Sequence, residues 1–271
     1  MVDRIERRED VDGCACLECR GVSAGVTRRR IGDVLLWAVG VLRNRRSILL
    51  VFLAVAAVQF VGFVGPPAVE VTLSFVVFTG GLFARSYAGT IVAGELVDRR
   101  YAPTTAAAHA LRRLPAVVAT LLFTFLSTMA LTVVGVLAGA AVLFADSPVV
   151  TAAGIVALAV TVVLVIVVLV KFILAPEAVV VGGYGPIAAL AVSWGLVSFR
   201  RRTTIVLVSL VVAIATAFAI TEISAATATH PVVGSPPTRL VVLAGSSLAT
   251  YLSGAITAIV FAHLYVQRIL E

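Results

Sequence analysis

Six apolar blocks of about 20 residues limit this chain to one solvent. A helix needs about 20 residues to cross roughly 30 Å of hydrocarbon. Blocks near or above that length run over 47–64, 71–93, from after Pro115 to Phe144, 149–174, 203–226 and 240–266. Inside a bilayer every backbone N–H and C=O must be satisfied within the segment, so each block forms an α-helix. The chain is 61% hydrophobic and only 13% charged, whereas a soluble domain is roughly 45–50% apolar. The expected fold is all-α: a polytopic membrane bundle of about six transmembrane helices, with short interfacial helices at one face.

The charges predict how the bundle sits. Arginines precede the first block (Arg28–Arg30, Arg43, Arg45, Arg46), separate the second from the third (Arg99, Arg100, Arg112, Arg113) and the fourth from the fifth (Arg200–Arg202), and follow the sixth (Arg268). The opposite connections carry Glu70, Asp146 and, as their sole basic residue, Arg239. Basic residues stay in the cytoplasm, so both termini are expected there, in a multi-pass protein of the cell membrane. The formal net charge of +7 is accounted for by this asymmetry. Without aromatic residues interleaved among the basic ones, it does not point to nucleic acid. Of the 21 basic residues only Lys171 is a lysine, a bias typical of GC-rich genomes such as those of halophilic archaea or actinobacteria.

Residues 1–30 read as a disordered polar tail without apolar periodicity, and 31–271 as the six-helix membrane domain. In 31–42, Ile31, Val34, Leu35, Ala38 and Leu42 share a helical face, predicting an interfacial helix. Two further segments, 103–115 and 186–202, are also rich in small and apolar residues and contain or end in a run of arginines before a span. The chain thus reads as three units, each an interfacial helix followed by a two-span hairpin.

The most distinctive stretch is L-A-P-E-A-V-V-V followed by G-Y-G-P-I-A-A-L-A-V-S-W-G-L-V-S-F-R-R-R, within 172–202. It resembles a motif of six-pass prokaryotic membrane proteins of unknown function. That group includes archaeal proteins and the membrane region preceding some glycerophosphodiester phosphodiesterases. The matching positions are Pro176, Glu177, Gly185, Pro186, Ala189, Ser193, Trp194 and Arg200. The resemblance implies a six-helix membrane domain and no known activity; the chain shows no phosphodiesterase domain.

Few residues suggest chemistry. Arg85 lies inside the second block, where a cation usually faces a partner or a cavity. Glu95 and a lipid phosphate are candidate partners, and snorkelling to the headgroups is the alternative. Lys171 and Glu177 bracket the end of the fourth span and are expected to pair. Glu222 sits near the outer end of the fifth block. Gln59 is expected to join helices through a hydrogen bond, and Gly135 and Gly139 form a G-x-x-x-G in the third block. Cys14, Cys16 and Cys19 could hold a soft metal, yet no fourth ligand lies in the tail, and reduced thiols are the simpler reading. His109, His230 and His263 show no metal spacing. No nucleophile elbow, phosphate loop or paired catalytic carboxylates occur. No catalytic residue, metal or cofactor is therefore expected.

The residues Arg85, Pro176, Glu177, Gly185, Pro186, Ser193 and Trp194 remain as candidates for function. The leading expectation is a non-enzymatic protein that binds lipid or helps assemble a membrane-protein partner. A small-solute or lipid transporter is the alternative. An enzyme acting on lipid headgroups is a third class, which would need acids or histidines clustered at one interface.

Overall fold

The computed structural model describes residues 31–64, 67–97, 99–144, 147–197 and 236–270. They form α1 (Ile31–Asn44), α2 (Arg46–Val64), α3 (Pro67–Leu96), α4 (Pro103–Phe144), α5 (Pro148–Lys171), α6 (Ala175–Val180), α7 (Pro186–Leu196) and α8 (Pro236–Leu270). No strand occurs among the described residues. Five runs are long and apolar enough to cross a membrane: Arg46–Val64, Val71–Leu96, Pro103–Phe144, Pro148–Val180 and Leu240–Ile269. The protein is thus an all-α polytopic membrane protein. The expected span over 203–226 lies outside the described residues, as do the tail with Cys14, Cys16 and Cys19, and Arg200, Glu222 and His230.

Close approach sets the register of α2. A Cβ added to Gly254 would touch the Phe52 ring, one on Gly80 would meet Val55, and one on Gly62 would meet Leu73. The last two seat α2 antiparallel to α3, and the first, with Trp37 of α1 packed on His263 near the end of α8, seats it antiparallel to α8. In the α4–α5 hairpin, Gly135 faces Thr161 and Gly154 faces Val142, so each glycine admits a side chain of the opposite helix. Gly139 has open space at its Cα, so only one glycine of the G-x-x-x-G makes a close contact between helices.

Burial is concentrated at one end, which we call the basic end because Arg43, Arg46, Arg99, Arg100 and Arg112 stand exposed on it. The core there joins Val34, Ala38 and Val41 of α1, Ala84, Ala88, Ile91 and Val92 of α3, Ala106, Ala110 and Val117 of α4, Ala178–Val181, and Ala255–Ile269 of α8. On α3, α4 and α8 alanines recur three or four residues apart (Ala84 and Ala88; Ala106 and Ala110; Ala255, Ala258 and Ala262), and small residues let helix backbones approach closely where lipid provides no hydrophobic drive. Away from this end the surface is apolar, including Phe75, Phe78, Leu126, Leu137, Val156 and Ile166. Such a surface matches hydrocarbon.

Two features differ from the sequence reading. The helix that carries the third block does not begin after Pro115: α4 is one helix of 42 residues with Pro115 inside it. A proline there removes one helical hydrogen bond. The buried face of Ala106, Ala110, Val117 and Thr120 nevertheless runs straight past it, and that packing holds the helix together. The fourth span does not end as a simple helix either. After Lys171 the chain turns, forms the short α6, breaks again at Gly182 and Gly183, and enters α7.

Candidate functional site

The break between α5 and α7 is where the motif residues meet. α6 begins with Ala175 and Pro176, and Pro at a first-turn position loses no hydrogen bond. All six α6 residues are buried, Glu177 among them. Burying a carboxylate demands a partner, and Arg85 of α3 supplies it. Its Nε donates to Glu177 Oε1 at 2.8 Å and its Nη2 to Oε2 at 3.0 Å, a forked geometry that suits guanidinium and carboxylate. The guanidinium also lies over the Phe261 ring, 5.1 Å from its centre, which ties α8 to the pair.

A broken helix frees carbonyl oxygens, and inside a membrane these must be met by protein groups. Side chains meet them around this break. Arg85 Nη2 donates to Ile173 O at 3.3 Å. Ser193 Oγ donates to Lys171 O at 2.6 Å. Lys171 Nζ donates to Trp194 O at 3.0 Å and to Val197 O at the end of α7. His109 Nε2 lies 3.0 Å from Val180 O; a carbonyl only accepts, so this nitrogen carries the proton. Arg113 Nη1 donates to Gly183 O at 3.1 Å. Arg113, which the sequence reading used only for orientation, therefore also caps the break.

Glycine is required at the second turn. Gly183 has φ 74°, in the left-handed region. A Cβ on Gly182 would collide with the Tyr265 hydroxyl and come within 2.7 Å of Ala178 O. Gly185 and Pro186 open α7, with Gly185 extended as its N-cap. Ala189 and Ser193 face inward, while Ile187 and Trp194 are exposed. Trp194 packs on Phe172, with ring centres 5.6 Å apart, and under Lys171 Nζ at 5.4 Å.

The chain matches the model of a domain of unknown function, DUF7847, over residues 30–268. It belongs to this family. No curated protein and no solved structure matches it.

In this DUF7847 protein the candidate residues converge, with different pairings from those expected. Arg85 pairs with Glu177 and not with Glu95. Glu95 instead takes Arg45 of the α1–α2 turn, fastening the first basic run to α3. Lys171 and Glu177 do not pair, because Lys171 faces the end of α7 while Glu177 faces α3. The sequence reading missed His109 and Arg113 as capping donors. It also missed Tyr265, His263 and Trp37: His263 is fully buried and meets the Trp37 ring edge-on at 5.1 Å, docking α1 on α8. The one signal for Arg85–Glu177 was opposite charge near the same end of two spans. Among the described residues no group of three or more His, Cys, Asp or Glu is placed to hold a metal.

Proposed function

We propose that this protein is a non-enzymatic membrane protein that binds anionic lipid through its basic end, which faces the cytoplasm. One observation carries the reading: exposed apolar side chains stand beside exposed arginines on successive surface elements. Leu35, Leu36 and Val39 of α1 are exposed, with Arg43 and Arg46 following. Leu111 of α4 is exposed beside Arg112, and Arg99 and Arg100 are exposed in the turn before α4. On α7, Ile187 and Trp194 face outward. An amphipathic surface of this kind lies in the headgroup region. Each basic side chain near an anionic leaflet contributes about 1 kcal/mol. The buried polar groups at the break are tied to one another, which supports a structural role for them and leaves the exposed arginines to act on lipid. The resemblance to membrane regions preceding some phosphodiesterases is read at the level of the membrane domain, and no phosphodiesterase chemistry is proposed.

The test is native mass spectrometry on protein extracted mildly from membranes. Retained anionic phospholipid, lost when Arg43, Arg46, Arg100 and Arg112 are all changed to Gln, is the expected result. A stoichiometric protein partner without lipid would favour an assembly role instead.

A second reading, a small-solute or lipid transporter, has one observation in its favour. The fourth span is discontinuous, as helices at transporter binding sites are, and the carboxylate of Glu177 lies at the break. Proteoliposomes would separate the two: solute or lipid flux that disappears in Arg85→Lys protein of unchanged melting temperature would favour transport.

A further inference from the structure

We propose that the seam between α2 and α8 holds a hydroxyl group, either a water molecule or the alcohol of a lipid, between Gln59 and Ser247. The register puts these two residues at one level. Phe52 faces Gly254, and the helices run antiparallel, so two turns further from the basic end Gln59 comes opposite Ser247. The buried faces agree with this register: Ile48, Phe52 and Ala56 on α2, and Ala258, Ser247 and Leu243 on α8. Gln59 is 13 residues beyond Arg46 and five before Val64, which places the pair about 20 Å from the basic end and about 8 Å from the far end of α2 at 1.5 Å per residue, within the apolar span.

Gln59 is half-buried with its Oε1 shielded, Ser247 is buried, and neither Gln59 Oε1 nor Ser247 Oγ makes a hydrogen bond to another group of the protein. Ser247 is 1% exposed. Its behaviour differs from that of its neighbours. Ser86, Thr90, Thr120, Thr161, Ser246 and Ser253 all donate to a carbonyl three or four residues back on their own helix. That bond is the cheapest way to satisfy a hydroxyl in a membrane helix, and Ser247 forgoes it. A buried polar atom without a bond costs about 1–3 kcal/mol, and two at one level would double that. A hydroxyl satisfies both at once. It donates to the Gln59 carbonyl oxygen and accepts from Ser247 Oγ; water, with a second proton, can donate to both. An apolar ligand satisfies neither, and a charged one would be uncompensated at this depth.

The experiment combines a structure of the full protein in lipid nanodiscs, at a resolution showing ordered water, with melting curves of Gln59→Leu, Ser247→Ala and the double variant. The expected structure has density within hydrogen-bonding distance of both side chains. Each single variant should melt about 2–4 °C lower, and the double variant should fall by less than the sum of the two. Native mass spectrometry separates the sources. A lipid adduct lost in Ser247→Ala identifies the lipid alcohol, and unchanged lipid content identifies water. Three results would overturn the proposal: a direct Ser247–Gln59 hydrogen bond, a seam without density, or a Ser247→Ala variant that melts higher than the parent. The last is what removal of an unsatisfied hydroxyl produces.

Discussion

At the scale of single residues, the fold rests on Arg85 and Glu177. A buried ion pair is a weak source of net stability, but removing one member leaves the other charge without compensation. Arg85→Leu should therefore lower unfolding stability by about 3–5 kcal/mol, and Arg85→Leu with Glu177→Leu should recover much of the loss. Equilibrium unfolding in mild detergent measures both, and a double variant as poor as the single one would remove the pair from this account. Gly182→Ala should be comparably damaging, since its Cβ would meet Tyr265 and Ala178 O. Gly139→Ala, where a Cβ meets nothing within 4 Å inside α4, should leave stability unchanged or raise it by up to about 1 kcal/mol. The same two measurements compare a required glycine with a permissive one. Arg85 could be singled out in the sequence because a cation inside an apolar block is rare. Its pairing could not, because Glu177 is 92 residues away, and although its motif stands out, nothing in the sequence says that Arg85 meets it and not Glu95.

At the scale of elements, length and hydropathy located the five spans among the described residues, and arginines mark the ends of α1 and α8 and the turn before α4, although Arg112 and Arg113 lie inside α4. Helix breaks were harder to read. Pro115 looked like a boundary, yet the alanine stripe of α4 carries the helix past it. The stretch after Lys171 looked like a span end, and it is a buried, capped break whose donors come from α3, α4 and α7. Such caps depend on tertiary neighbours and leave no periodic signal. The turn before α4 gives a prediction of its own. Tyr101 packs where a Cβ on Gly94 would sit. Burial pushes its hydroxyl above the usual phenol range, with Arg99 pulling the other way. A phenol pKa raised by folding contributes stability that is complete below the unfolded value, about 10, and declines as pH rises through the folded one. Stability should therefore fall above about pH 10, and Tyr101→Phe should flatten that limb of the profile. An unchanged profile in Tyr101→Phe would assign the loss to other groups.

At the scale of the whole molecule, the protein divides by solvent. Its far surface is apolar and suited to hydrocarbon, while its basic end combines a small-residue core, a capped helix break and a rim of arginines and apolar side chains. The all-α membrane architecture was legible because composition and block length leave no other fold. The arrangement of the rim was not, since it depends on which faces of α1, α4 and α7 the core consumes. Leu35 shows the difficulty: it shares a predicted apolar face with Val34 and Ala38, yet it is 42% exposed while they are buried.

The most direct test of the central claim is the melting temperature in nanodiscs of phosphatidylglycerol against phosphatidylcholine. A ligand that binds only the folded state raises stability by RT ln(1 + [L]/Kd), so by more the tighter it binds. The account predicts a higher melting temperature in the anionic lipid, a smaller difference at high salt, and none once Arg43, Arg46, Arg100 and Arg112 are changed to Gln. Equal melting temperatures for the parent protein in the two lipids would contradict it.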